Sequence, residues 1–176
     1  MIQQNLKTIR VLIADDHILL REGFRTLLRY NPEIEIVGAA ENGKELIELT
    51  RSLEPDIICT DIKMPVMDGV QATRIINHEF PDIGIIALTI YDDEHLIVDM
   101  MEAGAKGYLI KNAAKNEVLE AIHNVYDGLT YYCRHTSAKL AKMIATSKFN
   151  PYKKGATPEF SEKERTIIQL VCQGKF

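Results

Sequence analysis

Five times in its first 126 residues the chain repeats one unit, a short β-branched apolar run followed by a stretch with helical spacing. The runs are Ile9–Ala14, Ile34–Ala40, Asp56–Thr60, Ile83–Thr89 and Gly107–Ile110. The helical stretches are Ile18–Tyr30, Lys44–Leu53, Val70–His78, Glu94–Ala103 and Ala114–Tyr126. In the first of these, Leu20, Phe24, Leu27 and Leu28 recur at three- and four-residue steps, which puts them on one face. Turn residues separate the units, as in Asn31-Pro32, Glu54-Pro55 and Phe80-Pro81. Strands joined by helical crossovers run parallel, and their helices cover both faces of the sheet. The expected fold is therefore α/β, a five-stranded doubly wound parallel sheet. The first run and the third to fifth are almost continuously apolar, as suits strands buried on both sides.

After Tyr126 the alternation stops. Asp127-Gly128 breaks the fifth helix, and Thr136–Thr146 predicts a further helix with Leu140, Met143 and Ile144 on one side. Tyr131-Tyr132 is assigned to packing against that helix. Asn150–Phe160 holds Pro151, Gly155 and Pro158 beside Lys153-Lys154 and reads as a linker. Ser161-Glu162-Lys163-Glu164 then has the form of a capping box, Ile167, Ile168, Leu170 and Val171 supply an apolar helix face, and Gly174 stands where a helix stops. The chain divides into residues 1–128, a helical extension and linker over 129–160, and one amphipathic helix in 161–176. A single such helix forms no domain, so it is expected to belong to a larger unit or to dock elsewhere.

Charge follows the same division. Residues 1–126 carry 12 Lys/Arg against 21 Asp/Glu, net −9, whereas residues 127–176 carry 9 against 4, net +5. An acidic body with a basic tail fits a regulatory domain joined to a nucleic-acid-binding one, and equally fits two solvated surfaces. No apolar run approaches the ~20 residues of a membrane helix, and Asp15-Asp16 arrives before any long apolar region, against a signal peptide. The three cysteines, Cys59, Cys133 and Cys172, are widely spaced and form no CxxC, so neither a disulfide framework nor a zinc knuckle is expected. These features point to a cytoplasmic protein without membrane partners. His17, His78, His95, His123 and His135 show no ligand spacing and read as surface or satisfied residues.

In open parallel sheets, ligands bind beyond the carboxyl ends of the strands where strand order reverses. Those ends hold Asp15-Asp16, Asp61, Thr89, Tyr108 and Lys111. With the flavodoxin-like order 2-1-3-4-5, Asp15, Asp16 and Asp61 share one crevice. Three ionised carboxylates so close repel one another unless a cation sits among them. Oxygen ligands on a partly open site favour Mg²⁺, or Mn²⁺. One Asp can then act as nucleophile toward phosphorus, with Lys111 and Thr89 as the cation and hydroxyl that meet the developing charge.

Val11–Asp16, Asp56–Gly69 (DIICTDIKMPVMDG), Ile86–Thr89 and Gly104–Lys111 (GAKGYLIK) resemble the receiver domain of two-component response regulators over about residues 9–126. The resemblance implies that Asp61 accepts a phosphoryl group from a histidine kinase. It implies Mg²⁺ ligation by Asp16, Asp61 and the Lys63 backbone carbonyl, with Asp15 acting mostly through a metal-bound water. Lys111 would pair with the phosphoryl oxygens, Thr89 would move to hydrogen-bond them, and Tyr108 matches the aromatic that swings inward behind it. Met64-Pro65 and Asp68-Gly69 match the turn after the acceptor. One departure is that Asn112 follows Lys111 where many receivers have Pro. Because a cis bond before a non-proline residue costs ~3 kcal/mol, a trans bond is expected there.

Ser161–Lys175 is similar to the opening helix of the LuxR-type helix-turn-helix domain, which NarL/FixJ regulators join to a receiver. That resemblance implies a transcriptional output and dimerisation on phosphorylation, with DNA as partner of the full-length protein alone. The recognition helix is absent from these 176 residues, so no DNA-binding residue is assigned. Signalling rather than turnover is expected, so the chain is not read as an enzyme. Two alternatives stand beside this. One is a stand-alone receiver acting through protein contacts. The other is a Mg-dependent aspartyl-phosphate phosphohydrolase of the haloacid-dehalogenase type, against which Lys63 counts, since that position would hold the general acid.

Overall fold

The computed structural model describes residues 8–90, 94–134 and 136–140. Six strands and five helices alternate: β1 (Ile9–Ala14), α1 (Ile18–Leu28), β2 (Ile34–Ala40), α2 (Gly43–Leu53), β3 (Ile57–Asp61), α3 (Gly69–Glu79), β4 (Gly84–Thr89), α4 (Glu94–Ala103), β5 (Gly107–Ile110), α5 (Lys115–Tyr126) and β6 (Tyr131–Tyr132). All ladders are parallel, and the strand order is β2-β1-β3-β4-β5-β6.

Side-chain alternation sorts each strand between two cores. Leu12, Ala14, Ile58, Ile85, Ala87 and Tyr108 face α2, α3 and α4, where they meet Leu46, Ile76, Ile97 and Met100. Val11, Ile13, Ile57, Cys59, Ile86, Leu88 and Leu109 face the opposite side, against Leu28, Val118, Ala121, Ile122 and Val125. With β3 and β4 buried at every position, the unbroken apolar runs have their physical reason. Cys59 lies wholly inside the sheet, and burial pushes its thiol up to about 12, so it behaves as a small hydrophobe.

The helices start where local chemistry provides caps. The Asn42 side chain accepts from the Glu45 amide at 3.0 Å, and Asp68 accepts from the Gln71 amide at 2.8 Å. Glu117 accepts from the Ala114 amide at 3.1 Å.

Three expectations are corrected. The sheet has six strands, not five. Tyr131-Tyr132 forms the extra edge strand, pairing with Gly107 and Tyr108. The reason is that β5 would otherwise end the sheet with open backbone groups, and the left-handed turn at Gly128 (φ 80°) returns the chain to them. The Tyr131 amide donates to the Lys106 carbonyl at 2.9 Å, and the Cys133 amide to the Tyr108 carbonyl at 3.3 Å. The face of α1 also differs from its periodicity. Leu28 is buried and Phe24 and Leu27 are partly buried, but Leu20 is 38% exposed while Arg21 is buried. Leu20 instead borders an apolar cleft of about 240 Å³ beside Lys111. Third, β3 runs one residue later than expected. Asp56 only borders the ladder: its amide donates to the Arg10 carbonyl at 2.9 Å, and its side chain accepts from the Arg10 amide at 2.9 Å.

Residues 136–140 are helical. The rest of the helix expected over Thr136–Thr146, the linker Asn150–Phe160, and the helix with its capping box in 161–176 lie outside the described residues.

Candidate functional site

The crevice forms where β1 and β3 lie side by side and their crossovers diverge. Ala14 pairs with Thr60, so the chain leaves the two strands at one level, into Asp15-Asp16 and through Asp61. Asp15 and Asp61 are 2% and 4% exposed, whereas Asp16 is open to solvent. Lys111, just past β5, places Nζ between the two buried carboxylates, 2.6 Å from Asp15 Oδ2 and 2.9 Å from Asp61 Oδ2. The other oxygens are also held. Asp61 Oδ1 accepts from the Ile62 amide at 2.7 Å, and Asp15 Oδ1 from the His17 amide at 2.9 Å.

Burial pushes the Asp61 carboxyl above the ordinary Asp range, and the Asp15 charge adds to the rise; Lys111 and the Ile62 amide pull the other way. Burial alone would lower the Lys111 ammonium, but Asp15 and Asp61 outweigh it and hold it above the usual lysine value. One cation thus serves two carboxylates, and the cluster retains excess negative charge.

Thr89 ends β4 fully buried, and its carbonyl accepts from the Lys111 amide at 2.8 Å. The hydroxyl-bearing residue and the cation are therefore tied through backbone. Tyr108 is 2% exposed, inside the core against α4. Lys63 lies two residues beyond Asp61 with its side chain exposed. No peptide bond among the described residues is cis, so Lys111–Asn112 is trans as expected.

The loop after Asp61 is built for close approach. The Gly69 amide donates to the Ile62 carbonyl at 2.8 Å, which brings the start of α3 onto the acceptor strand. Between them, the Met67 amide donates to the Pro65 carbonyl at 2.7 Å, a tight turn that holds Val66 at φ 68°.

Two residues not assigned to the site are part of it. Arg21 donates from Nη1 to the Asp15 carbonyl and from Nη2 to Glu41 Oε1, each at 2.6 Å. His17, read as a surface residue, places Nδ1 2.8 Å from Asp16 Oδ1 and 3.3 Å from Asp15 Oδ1. Its adjacency to the acidic pair was the available signal; for the buried arginine the signal was its spacing of three and seven residues from Phe24 and Leu28, which puts it on the inward face.

The donor set suits a metal ion. Asp15, Asp16, His17 and Asp61 each offer one ligand atom, all within 4.8 Å of one another. Opposite ligands of an octahedral ion with ~2.1 Å bonds stand ~4.2 Å apart, so little movement closes the shell.

Comparison with known proteins agrees with this geometry. Residues 11–123 match the family of the response regulator receiver domain. The chain is 39% identical over 129 residues to the transcriptional regulatory protein DegU of Brevibacillus brevis, covering 73% of this chain and 55% of that protein. It is 35% identical to the response regulator GacA of Pseudomonas protegens, covering 94% of this chain and 76% of that protein. The chain therefore spans about half to three-quarters of these relatives. A crystal structure of a LuxR-family two-component response regulator from Aurantimonas superimposes with a TM-score of 0.75 at 29% identity, covering 79% of this chain and 99% of that one. Matched across most of the described sheet, with the acidic crevice inside the matched span, this chain belongs to the response regulator receiver domain family.

Proposed function

We propose that the chain is a phosphorylation-switched receiver in which Asp61 takes a phosphoryl group from a histidine kinase. The observation that carries this reading is the placement of Lys111 Nζ between Asp15 and Asp61, at 2.6 and 2.9 Å. A buried carboxylate is thereby kept next to a cation that can follow the incoming phosphoryl oxygens.

In the transfer, an Asp61 carboxylate oxygen forms a bond to phosphorus while the bond from phosphorus to the donor breaks. The donor leaves with that electron pair, and Asp61 becomes an acyl phosphate. Lys111 then exchanges its contact with the Asp61 carboxylate for one with phosphoryl oxygens. Asp15, Asp16, Asp61 and the Lys63 carbonyl would hold Mg²⁺ or Mn²⁺, which when bound neutralises charge on the phosphoryl oxygens. The Thr89 hydroxyl closes on the same oxygens, and Tyr108 repacks behind it. Because Tyr108 lies between α4 and β6, that movement reaches the surface built from α4, β5 and α5.

Output follows from that surface. The switched state favours a homodimer, and in the full-length protein it controls a DNA-binding domain of the type whose opening the sequence of residues 161–176 resembles. Residues 1–128 are the receiver and 129–160 the connection. DegU is named a transcriptional regulatory protein, which supports this direction. Signalling, not turnover, is the activity, and the setting is the cytoplasm; no helix among the described residues is long and apolar enough to cross a membrane.

The test is intact mass after incubation with Mg²⁺ and acetyl phosphate, for wild type and Asp61→Asn. A metal-dependent, hydroxylamine-labile gain of one phosphoryl group in the wild type alone is expected. Equal labelling of Asp61→Asn would overturn the acceptor assignment.

A further inference from the structure

We infer that His17 is a nitrogen ligand of the metal site, which raises its preference for Mn²⁺, and more so for the borderline cations Co²⁺ and Zn²⁺, over Mg²⁺. This rests on the metal-binding reading above and concerns a residue outside the oxygen set given there. His17 Nδ1 already stands at the spacing of neighbouring ligands from both carboxylates of the acidic pair. His17 Nδ1 is 2.8 Å from Asp16 Oδ1 and 3.3 Å from Asp15 Oδ1. Adjacent ligands of an octahedral ion with bonds of ~2.1 Å are ~3.0 Å apart, so these two separations bracket one octahedral edge.

The local backbone explains the placement. The His17 amide donates to Asp15 Oδ1 at 2.9 Å, folding the chain back on the acidic pair. His17 occupies the N-cap position of α1 with extended backbone (φ −91°, ψ 108°), yet its side chain makes no capping hydrogen bond. The ring is turned toward the carboxylates rather than the helix end. It is 64% exposed on its outer side, which leaves a path for the ion.

The chemical consequence is selectivity. Mg²⁺ is hard and takes oxygen donors, whereas imidazole nitrogen raises affinity along the series from Mn²⁺ through Co²⁺ to Zn²⁺. A site of carboxylates alone gains less along that series than one that includes an imidazole. With one imidazole it gains at every member, and the gain disappears with the ring.

The experiment uses the full 176-residue chain with Mn²⁺ alone as probe. Pulsed electron paramagnetic resonance of bound Mn²⁺ is expected to show ¹⁴N modulation from a directly bound imidazole, absent in His17→Ala and His17→Asn. In titrations of the free Mn²⁺ signal, both variants should bind Mn²⁺ about tenfold more weakly or worse, the scale of loss when a metal site's supporting residue is removed. Mg²⁺ affinity, read by thermal shift, should fall less than about twofold, and thermal unfolding without metal checks that both variants fold. Bound Mn²⁺ with no ¹⁴N modulation in the wild type would overturn the inference and leave the metal site standing. In that case His17 only hydrogen-bonds Asp16 from outside the sphere. Failure of the wild type to bind Mn²⁺ or Mg²⁺ would overturn both readings.

Discussion

A β-carbon on Gly69 would overlap the backbone carbonyl oxygen of Asp61. The residue that opens α3 therefore sets how closely that helix approaches the strand end carrying the acceptor. Backbone cannot yield as a flexible side chain can, so Gly69→Ala must shift the helix or the loop. Overpacking of this kind costs about 1–3 kcal/mol. An unfolding free energy in urea lowered by that amount, with slower phosphoryl uptake from acetyl phosphate, is the expected result. An unchanged midpoint would show that the loop relaxes freely.

Val66 makes the opposite case in the same loop. It is 84% exposed and held at φ 68°, a region that β-branched residues rarely occupy. Strain of that sort costs on the order of 1 kcal/mol, and no packing offsets it here. Val66→Gly relieves that strain against the added entropy of the unfolded chain, so the urea midpoint is expected to hold or rise, with phosphoryl uptake unaffected. Chemical denaturation of the two proteins side by side decides it.

The pH dependence of Asp61 has a definite sign. Burial raises its carboxyl above the unfolded Asp value of 3.8, so the folded state binds that proton more tightly than the unfolded chain. Its contribution to stability is present in full below 3.8 and is lost as pH rises through the folded value. In metal-free buffer at pH 7, Asp61→Asn is then more stable than wild type, with a higher Tm. That gap should close as pH is lowered past the carboxyl's titration. Melting curves from pH 7 down to pH 4 read this out, and a gap that widens on acidification would reverse the argument.

Metal linkage gives the complementary experiment. An ion that binds only the folded state adds about 2.7 kcal/mol at a hundred times its Kd. Mg²⁺ should raise the wild-type Tm in steps that chelator reverses, and it should raise that of Asp61→Asn far less. Equal shifts would place the ion away from Asp61.

Arg21→Lys probes the brace behind the acidic pair. The guanidinium spans from the Asp15 carbonyl to Glu41, two acceptors on different loops, and an ammonium presents no comparable fork. The expected cost is about 1–2 kcal/mol from the weakened bond to a buried carbonyl, accompanied by weaker Mg²⁺ binding. Calorimetric melting and a Mg²⁺ titration of both proteins test it. Loss of stability with unaltered Mg²⁺ affinity would make Arg21 a packing residue only.

The acidic crevice was readable because its parts lie at the ends of long, strongly patterned elements. Asp15, Asp61, Thr89 and Lys111 each close or directly follow an almost continuously apolar run, and topology does the rest. β1, β2, α4 and β5 fall where the periodicity puts them. What escaped has no period to betray it. β6 is two residues long, and its existence depends on the open edge of β5, a fact about the sheet rather than about Tyr131-Tyr132. Arg21 occupies a buried position that helical spacing awards to an apolar residue. The one-residue offset of β3 lies at its two ends: Asp61 extends the ladder opposite Leu88, while Asp56 only borders it.

The short strand past α5 also moves the edge of the folded unit. The family match ends at residue 123, but backbone pairing continues to Tyr132 and the Cys133 amide. A fragment cut at 123 or 128 would bare one side of β5, a row of donors and acceptors ready to recruit another molecule's strand. Self-association of such a fragment would be a property of the cut. A version ending beyond Leu140, which is itself fully buried, keeps that seam closed.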